Sequence, residues 1–214
     1  MTLKEIDKEY IDAISSTVDT LKSVATSIQT DYDFDLDKTE ISEAILNRLS
    51  TYYKTQNGIK IFLNKRYQTA GADFFVETVL FFIKLYLSKT GSNLEAHSER
   101  QIRRQRGAIR PDISIWNRDS VTAIIECKTQ LGWNRQNWEN DFNNRELKLK
   151  NEFPNAKAYL VVMTGLNWGG FGDSEKLGER YFCLLNETWP TDYHGLTQLM
   201  SPIELLIKEI VNND

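Results

Sequence analysis

Apolar residues recur at helical spacing through the first part of the chain. Over residues 3–29 they lie three, four or seven positions apart, at Leu3, Ile6, Tyr10, Ile14, Leu21, Val24 and Ile28, which predicts a long amphipathic helix. The acidic stretch 31–35 interrupts this pattern, and a second helix is predicted from about Thr39 to Tyr53. We expect an N-terminal helical segment, residues 1–60, whose apolar stripe requires a partner.

A third helix is predicted over residues 72–87, where the chain is apolar on nearly all sides and Gly91 follows as a stop signal. A helix with this pattern is expected to be buried. Glu77 lies within it, and an acid among buried apolar residues must be paired, bind a ligand, or face an opening.

The rest of the chain has the short apolar runs of β-strands. Strands are predicted at 94–102, 109–116, 121–129, 158–164 and 181–185, with helices at 137–152 and after Pro202, the latter capped by Ser201. The four residues 117–120 join two strands as a hairpin. This order predicts the α/β class, with an αβα sandwich around a central mixed sheet and its core in residues 61–214.

Composition narrows the classes of function. The net charge of −4 creates no global attraction to nucleic acid, and two histidines with two cysteines are too few soft ligands for a zinc site. Cys127 and Cys183 fall within predicted strands, where buried free thiols are expected. The glycine-rich residues 165–172 lack the Lys-Ser/Thr ending of a P-loop, so no nucleotide cofactor is expected.

The chain carries no signal for export or membrane insertion. Its longest apolar stretch, residues 74–87, is interrupted by Glu77, Thr78 and Lys84, which makes it too short and too polar to span a bilayer. The N-terminus has no cationic region followed by an apolar core. We therefore expect a cytoplasmic protein without a membrane segment.

Polar side chains cluster at the end of the strand predicted at 121–129. Because side chains alternate across a strand, one face carries only apolar groups, at Val121, Ala123, Ile125 and Cys127. The other face ends with Glu126, Lys128 and Gln130. Folding alone does not require an acid, a base and an amide in a row at the end of a buried strand.

Asp112 is expected to join these groups. The hairpin turn would pair the two strands antiparallel and bring Asp112 to the same end as Glu126 and Lys128. Carboxylate oxygens suit Mg²⁺, which takes only one or two carboxylates from a protein. The alternative is a structural salt bridge at a sheet edge, which would contribute little to stability.

These residues resemble the signature of a known family. Pro111-Asp112, thirteen intervening residues and Glu126-Cys127-Lys128 are similar to the PD-(D/E)XK motif of restriction endonucleases and their relatives. Its context adds weight: a hairpin, an apolar run before the glutamate, a preceding helix with an inward acid, and a following helix and strand. The resemblance covers about residues 70–185 and implies a restriction-endonuclease-like fold.

The resemblance also implies a role for each site residue. Asp112, Glu126 and the backbone carbonyl of Cys127 would bind Mg²⁺, with Mn²⁺ as a substitute, and Lys128 would orient or activate the attacking water. Glu77 matches the extra acid that many members supply from the first core helix, although Glu95 and Glu99 are rivals for that role. Gln130 resembles a glutamine that contacts substrate or water.

A run of arginines precedes the motif. It comprises Arg100, Arg103, Arg104, Arg106 and Arg110, and the alternative interpretation is a solvated charge run. Cations beside a metal site would instead hold the phosphate backbone of DNA. Asn134 and Arg135 follow the motif closely enough to line the same cleft.

The predicted function is that of a Mg²⁺-dependent endodeoxyribonuclease, a type II restriction enzyme that cuts double-stranded DNA as a homodimer. The N-terminal helices would then serve dimerisation or DNA contact. Two alternatives stay open: a structure-specific repair or recombination nuclease of the same fold, and a catalytically silent DNA-binding or assembly subunit.

Overall fold

The computed structural model describes residues 2–104, 106–131, 137–166, 175–195 and 198–212. Within it the chain forms two compact units, Met1–Asp35 and Leu36–Asp214. This division lies before the second predicted helix, whereas the sequence grouped that helix with the first in residues 1–60.

The first unit contains one long helix, α1 (Leu3–Asp31). Thr2 and Glu5 form a capping box at its start, in which each side chain accepts a hydrogen bond from the other residue's backbone N–H. The predicted helix is therefore confirmed. None of its residues is buried, and its apolar stripe is exposed, with Leu3 81% exposed and Tyr10 63% exposed.

The second unit contains four helices and five strands among the described residues. They are α2 (Glu40–Phe62), α3 (Ala72–Lys89), β1 (Leu94–Ser98), β2 (Ile113–Asn117), β3 (Ser120–Lys128), α4 (Asn137–Glu152), β4 (Lys157–Thr164), β5 (Tyr181–Leu185) and α5 (Ile203–Val211), with a short 3₁₀ helix at Pro190–Asp192 before α5. Each strand and helix predicted from the sequence is present. The largest difference in bounds is in α2, which continues to Phe62 instead of ending at Tyr53.

The five strands form one mixed sheet in the order β1-β2-β3-β4-β5. The pairs β1–β2 and β2–β3 are antiparallel, and the pairs β3–β4 and β4–β5 are parallel. Helix α4 connects β3 to β4, as a parallel pair requires. The molecule is thus of the α/β class.

The hairpin between β2 and β3 contains an irregularity. Ile115 pairs with Ala123, but the next residue, Trp116, pairs with Val121, so β3 has one extra residue at this point. Val121 therefore joins the same apolar cluster as Trp116 and Ile124. The sequence had assigned Val121 to the opposite face, with Ala123, because a strict period of two takes no account of a bulge.

Both faces of the sheet are covered. On one face, Phe142 and Leu149 of α4 pack against Ile124, Leu160 and other strand residues in a single buried cluster. The other buried strand side chains point to the opposite face by alternation, where α3 contacts β1 and β3 and α5 contacts β5. Both cysteines are buried free thiols, as predicted.

A carboxylate distant in sequence caps α2. The N-cap residue Thr39 makes no side-chain capping hydrogen bond. Instead, buried Glu204 of α5 accepts hydrogen bonds from the backbone N–H groups of Ile41 at 2.7 Å and Ser42 at 3.0 Å. The sequence predicted Ser201 as the cap of α5, but the N-cap is Pro202 and it makes no side-chain cap hydrogen bond.

Among the helices that the structure describes, none combines the length and the apolar composition that crossing a bilayer would require.

Candidate active site

The hairpin brings Asp112 beside the end of β3. Ile113 pairs with Ile125, so Asp112, which immediately precedes β2, reaches the level of Glu126 and Cys127. Asp112 Oδ2 accepts a hydrogen bond from the backbone N–H of Cys127 at 2.8 Å. This bond fixes the carboxylate against the backbone of the strand that carries the other two site residues.

Lys128 lies between the two carboxylates. Its Nζ is 3.6 Å from Asp112 Oδ2 and 3.9 Å from Glu126 Oε2. Glu126 and Lys128 share a face of β3 because they are two residues apart. The predicted convergence of two carboxylates and an ammonium group is therefore confirmed.

Glu126 is a charged group in a buried position. It is 3% exposed, and its pKa is raised from 4.5 to about 6, first because burial disfavours the charged form and then because Asp112 repels it. Arg145 and Lys128 oppose this shift and lower the pKa. Burial and Asp112 thus still disfavour the charged form of Glu126, and a cation bound beside it would stabilise that form.

Arg145 is a site residue that the sequence did not predict. Its guanidinium donates to Glu126 Oε1 from the third turn of α4. The pattern of α4 could not single it out, since charged residues surround it in the sequence, at Glu146, Lys148 and Lys150. Only the packing of α4 over β3 shows that Arg145 is the charge that meets the buried acid.

A cavity of about 280 Å³ opens beside these groups. Glu126, Lys128 and Arg145 line it together with Gln130 and Asp141, and Trp138 and Phe142 supply apolar walls. Gln130 therefore lies where it was predicted. Asn134 and Arg135, predicted for the same cleft, lie outside the described residues.

Asp112 also borders a second cavity, of about 290 Å³, whose lining includes Asp73, Glu77, Ser98 and Glu99. Glu77 is exposed and lines this opening, which is one of the three situations predicted for an acid in this apolar helix. The helix buries one side, including Phe75 and Val79, and turns its acids toward this opening.

The three candidates for the extra acid fall into two groups. Glu77 and Glu99 share the second cavity with Asp112. Glu95 lies 3.1 Å from His97 Nε2 and lines another cavity. The geometry therefore favours Glu77 or Glu99 over Glu95 as a partner of Asp112.

The donor atoms of the site suit a hard divalent cation. Mg²⁺ keeps several waters and binds one or two protein carboxylates, and Asp112 and Glu126 provide two that approach a common ammonium group. Across the described part of the chain, no group of three or more His, Cys, Asp or Glu side chains is arranged to hold a metal ion. A cation here would be held by the two carboxylates together with backbone oxygen and water.

The predicted arginines differ in what they contact. Arg100 lies over the ring of Trp116 at 3.8 Å and is 2.9 Å from His97 Nε2. Arg103 Nε is 2.9 Å from Glu152 Oε2. All five arginines are exposed. Two of them, Arg100 and Arg103, also contact other groups of the protein.

Comparison with known proteins adds no assignment. No protein-family model matches the chain, and no curated protein matches it significantly.

Proposed function

We propose that this protein is a Mg²⁺-dependent endodeoxyribonuclease of the PD-(D/E)XK type that hydrolyses phosphodiester bonds in double-stranded DNA. The observation that carries this proposal is the position of Lys128, within 3.6 Å of Asp112 and 3.9 Å of the buried Glu126, at the mouth of a cavity. A structural salt bridge would not require a buried Glu126 carboxylate, repelled by the partly exposed carboxylate of Asp112, beside an opening.

The residues fit the chemistry of phosphodiester hydrolysis. In this proposal Asp112, Glu126 and the backbone carbonyl of Cys127 hold Mg²⁺, with Mn²⁺ as a substitute. The bound cation would neutralise negative charge on the phosphate and acidify a water molecule. Lys128 holds a positive charge next to both carboxylates, where it stabilises charge that develops on the phosphate oxygens or orients the water.

The arrangement of elements supports the finer assignment to a restriction-endonuclease-like fold. The helix α3 precedes the β2–β3 hairpin, and α4 and β4 follow it. The motif of this family is expected in the same order of elements. The mixed sheet covered by helices is compatible with the same assignment.

We further propose that the enzyme is a type II restriction endonuclease that acts as a homodimer, because two copies related by a twofold axis match the symmetry of duplex DNA. The exposed arginines, Arg104, Arg106 and Arg110, would contact phosphates near the site. The exposed stripe of α1 would supply a surface for the second copy.

The alternative of a catalytically silent DNA-binding subunit is favoured by one observation. Arg145 is paired with Glu126, and a permanent pair would keep a cation away from that carboxylate. The nuclease and the silent subunit therefore differ in whether Mg²⁺ can displace Arg145 from Glu126.

Incubation of the purified protein with supercoiled plasmid, in Mg²⁺ or in EDTA, separates these functions. Discrete fragments in Mg²⁺ alone support a restriction enzyme, and nicking or progressive loss of DNA supports a repair-type nuclease. Binding without cleavage identifies the silent subunit. Glu126→Ala and Lys128→Ala should abolish cleavage, while Lys84→Ala, an exposed change on α3, should not. Undiminished cleavage by either site variant would overturn the site assignment.

A further inference from the structure

Every charged side chain between Lys54 and Gln68 is basic. This segment contains Lys54, Lys60, Lys65 and Arg66 and no acidic residue, although acids outnumber bases in the whole chain by 30 to 26. We call this segment the basic arm. It comprises the last turns of α2 and the connector that follows them. Its local charge is opposite in sign to that of the molecule, and local charge governs attraction to an anionic partner.

Every residue at the end of the basic arm is exposed to solvent. All residues from 61 to 70 are exposed, and Phe62 at the tip is 86% exposed. Ile61, Leu63 and Tyr67 are also large apolar side chains left open to solvent. Contiguous exposed apolar residues beside basic groups indicate a binding surface.

The basic arm has a defined shape. Gln68 Nε2 donates to Asn57 Oδ1 at 3.1 Å, which ties the connector back to α2. The backbone N–H of Lys65 bonds to the carbonyl of Lys60 at 2.9 Å, and Asn64 takes a positive φ of 50° in the turn between them. The turn thus holds the basic and apolar side chains together at the tip.

Contacts between α2 and α3 show where the basic arm points. Arg48 lies over Phe81 at 4.2 Å, whereas Tyr52 stacks on Phe74 at 4.5 Å, so the two helices run antiparallel. Helix α2 continues from Tyr52 to Phe62, which extends it by about 15 Å at 1.5 Å per residue. The basic arm therefore projects beyond the start of α3.

The start of α3 is also the end that faces the candidate active site. Asp73 and Glu77 line the cavity that Asp112 borders. Burial raises the pKa of the Tyr52 phenol, and the same two acids lie close enough to raise it further. The basic arm thus extends from the edge of the molecule on which Asp112 lies.

We propose that the basic arm binds duplex DNA beside the cleavage site, with its lysines and Arg66 on phosphates and Phe62 against the sugars or bases of a groove. This inference rests on the proposed function and names a second contact surface for the same substrate. Basic groups around an apolar tip are the combination that groove-binding proteins insert into DNA. An anionic membrane would attract the same chemistry, but the position beside the carboxylate site favours DNA.

Equilibrium binding of a fluorescent duplex in EDTA, which prevents cleavage, tests the proposal. The triple variant Lys60→Ala, Lys65→Ala, Arg66→Ala should bind at least about 10-fold more weakly at low salt. The slope of log affinity against log salt should decrease by about 2 to 3, because each phosphate contact contributes about 0.9. Phe62→Ala should weaken binding and leave that slope unchanged, because it removes no charge.

A charge-matched variant, Lys84→Ala, Lys89→Ala, Lys157→Ala, serves as the control, and circular dichroism verifies that both triple variants fold. If the wild type binds DNA and the two triple variants bind it equally well, the basic arm is not a DNA surface, whatever the fate of the nuclease proposal. Binding to phosphatidylserine vesicles that the arm variant loses, with DNA binding intact, would overturn it in favour of a membrane. Absence of cleavage by the wild type, with arm-dependent DNA binding, would overturn the proposed function alone.

Discussion

The guanidinium of Arg145 on α4 is paired with the carboxylate of Glu126 on β3, nineteen residues earlier in the chain. Glu126 is almost completely buried, whereas the Arg145 side chain is 43% exposed. The pair therefore joins a buried acid to a base that retains access to solvent. In the proposed function, a cation that neutralised Glu126 would release Arg145 to turn toward a phosphate.

Arg145→Ala should destabilise the protein in EDTA. The variant leaves Glu126 buried with only the more distant Lys128, and we expect a loss of about 1 to 3 kcal/mol in the free energy of unfolding, below the cost at a fully buried pair because Arg145 is partly exposed. Urea denaturation measures this loss. The double variant Glu126→Gln, Arg145→Ala should lose less than Arg145→Ala alone, because no buried charge then lacks a partner. A loss in the double variant equal to the sum of the losses in Arg145→Ala and in Glu126→Gln would show that the pair is not coupled.

Mg²⁺ should stabilise the wild type through the two carboxylates. At a Mg²⁺ concentration ten times the dissociation constant, the gain is about 1.4 kcal/mol, seen as a rise in Tm without any DNA present. Glu126→Gln and Asp112→Asn should lose this rise. Glu95→Gln should keep it, since Glu95 lies apart from Asp112. An undiminished rise in Glu126→Gln would show that the ion binds elsewhere.

The arginines should contribute unequally to DNA binding. Arg104→Ala with Arg106→Ala should reduce the salt slope by about 2, because both side chains are exposed and available to phosphates. Arg103→Ala should change the slope less, because Arg103 is held by Glu152. Fluorescence titrations at several salt concentrations measure the slopes. Identical slopes for wild type and the double variant would show that these arginines are a solvated surface and do not contact phosphates.

Glu204 should be important for stability although it is remote from the site. Glu204→Ala removes the acceptor for the first N–H groups of α2, and we expect a loss of about 2 to 4 kcal/mol because buried donors are left unsatisfied. Glu209→Gln is the matched control on the same helix. It breaks the partly exposed pair with Lys157 and should cost less than about 0.5 kcal/mol. A comparable loss in the two variants, measured in urea, would contradict the capping role.

The stripe of α1 should hold two copies together. At 100° per residue its apolar side chains fall on one side of the helix, and two such stripes would bury on the order of 1,600 Å², the size of a standard interface. Ile14→Asp with Leu21→Asp should convert a dimer into a monomer in analytical ultracentrifugation. Ser16→Asp with Ser23→Asp, on the opposite side of α1, should not. If the wild type stays monomeric at high concentration, α1 is not a dimerisation surface.

Local patterns in the sequence were sufficient for most of the elements and for the central trio of the site. Period-two and helical apolar patterns depend only on neighbouring residues, and so the strands and helices could be predicted. Asp112, Glu126 and Lys128 could also be placed together because a short hairpin leaves few ways to pair its strands. The bulge that moves Val121 to the other face was not predictable, since it inserts a residue without changing the apolar character of the run.

The tertiary structure alone decided which distant charges meet. Arg145 reaches Glu126, and Glu204 reaches α2 across 163 positions. In the sequence each is one charged residue among many, because charged side chains follow no period that reports their partners. A buried carboxylate must find its donors wherever the packed helices place them. The sequence by itself determined the elements and the acids beside Lys128, and packing determined the groups that balance those acids and the surfaces that surround them.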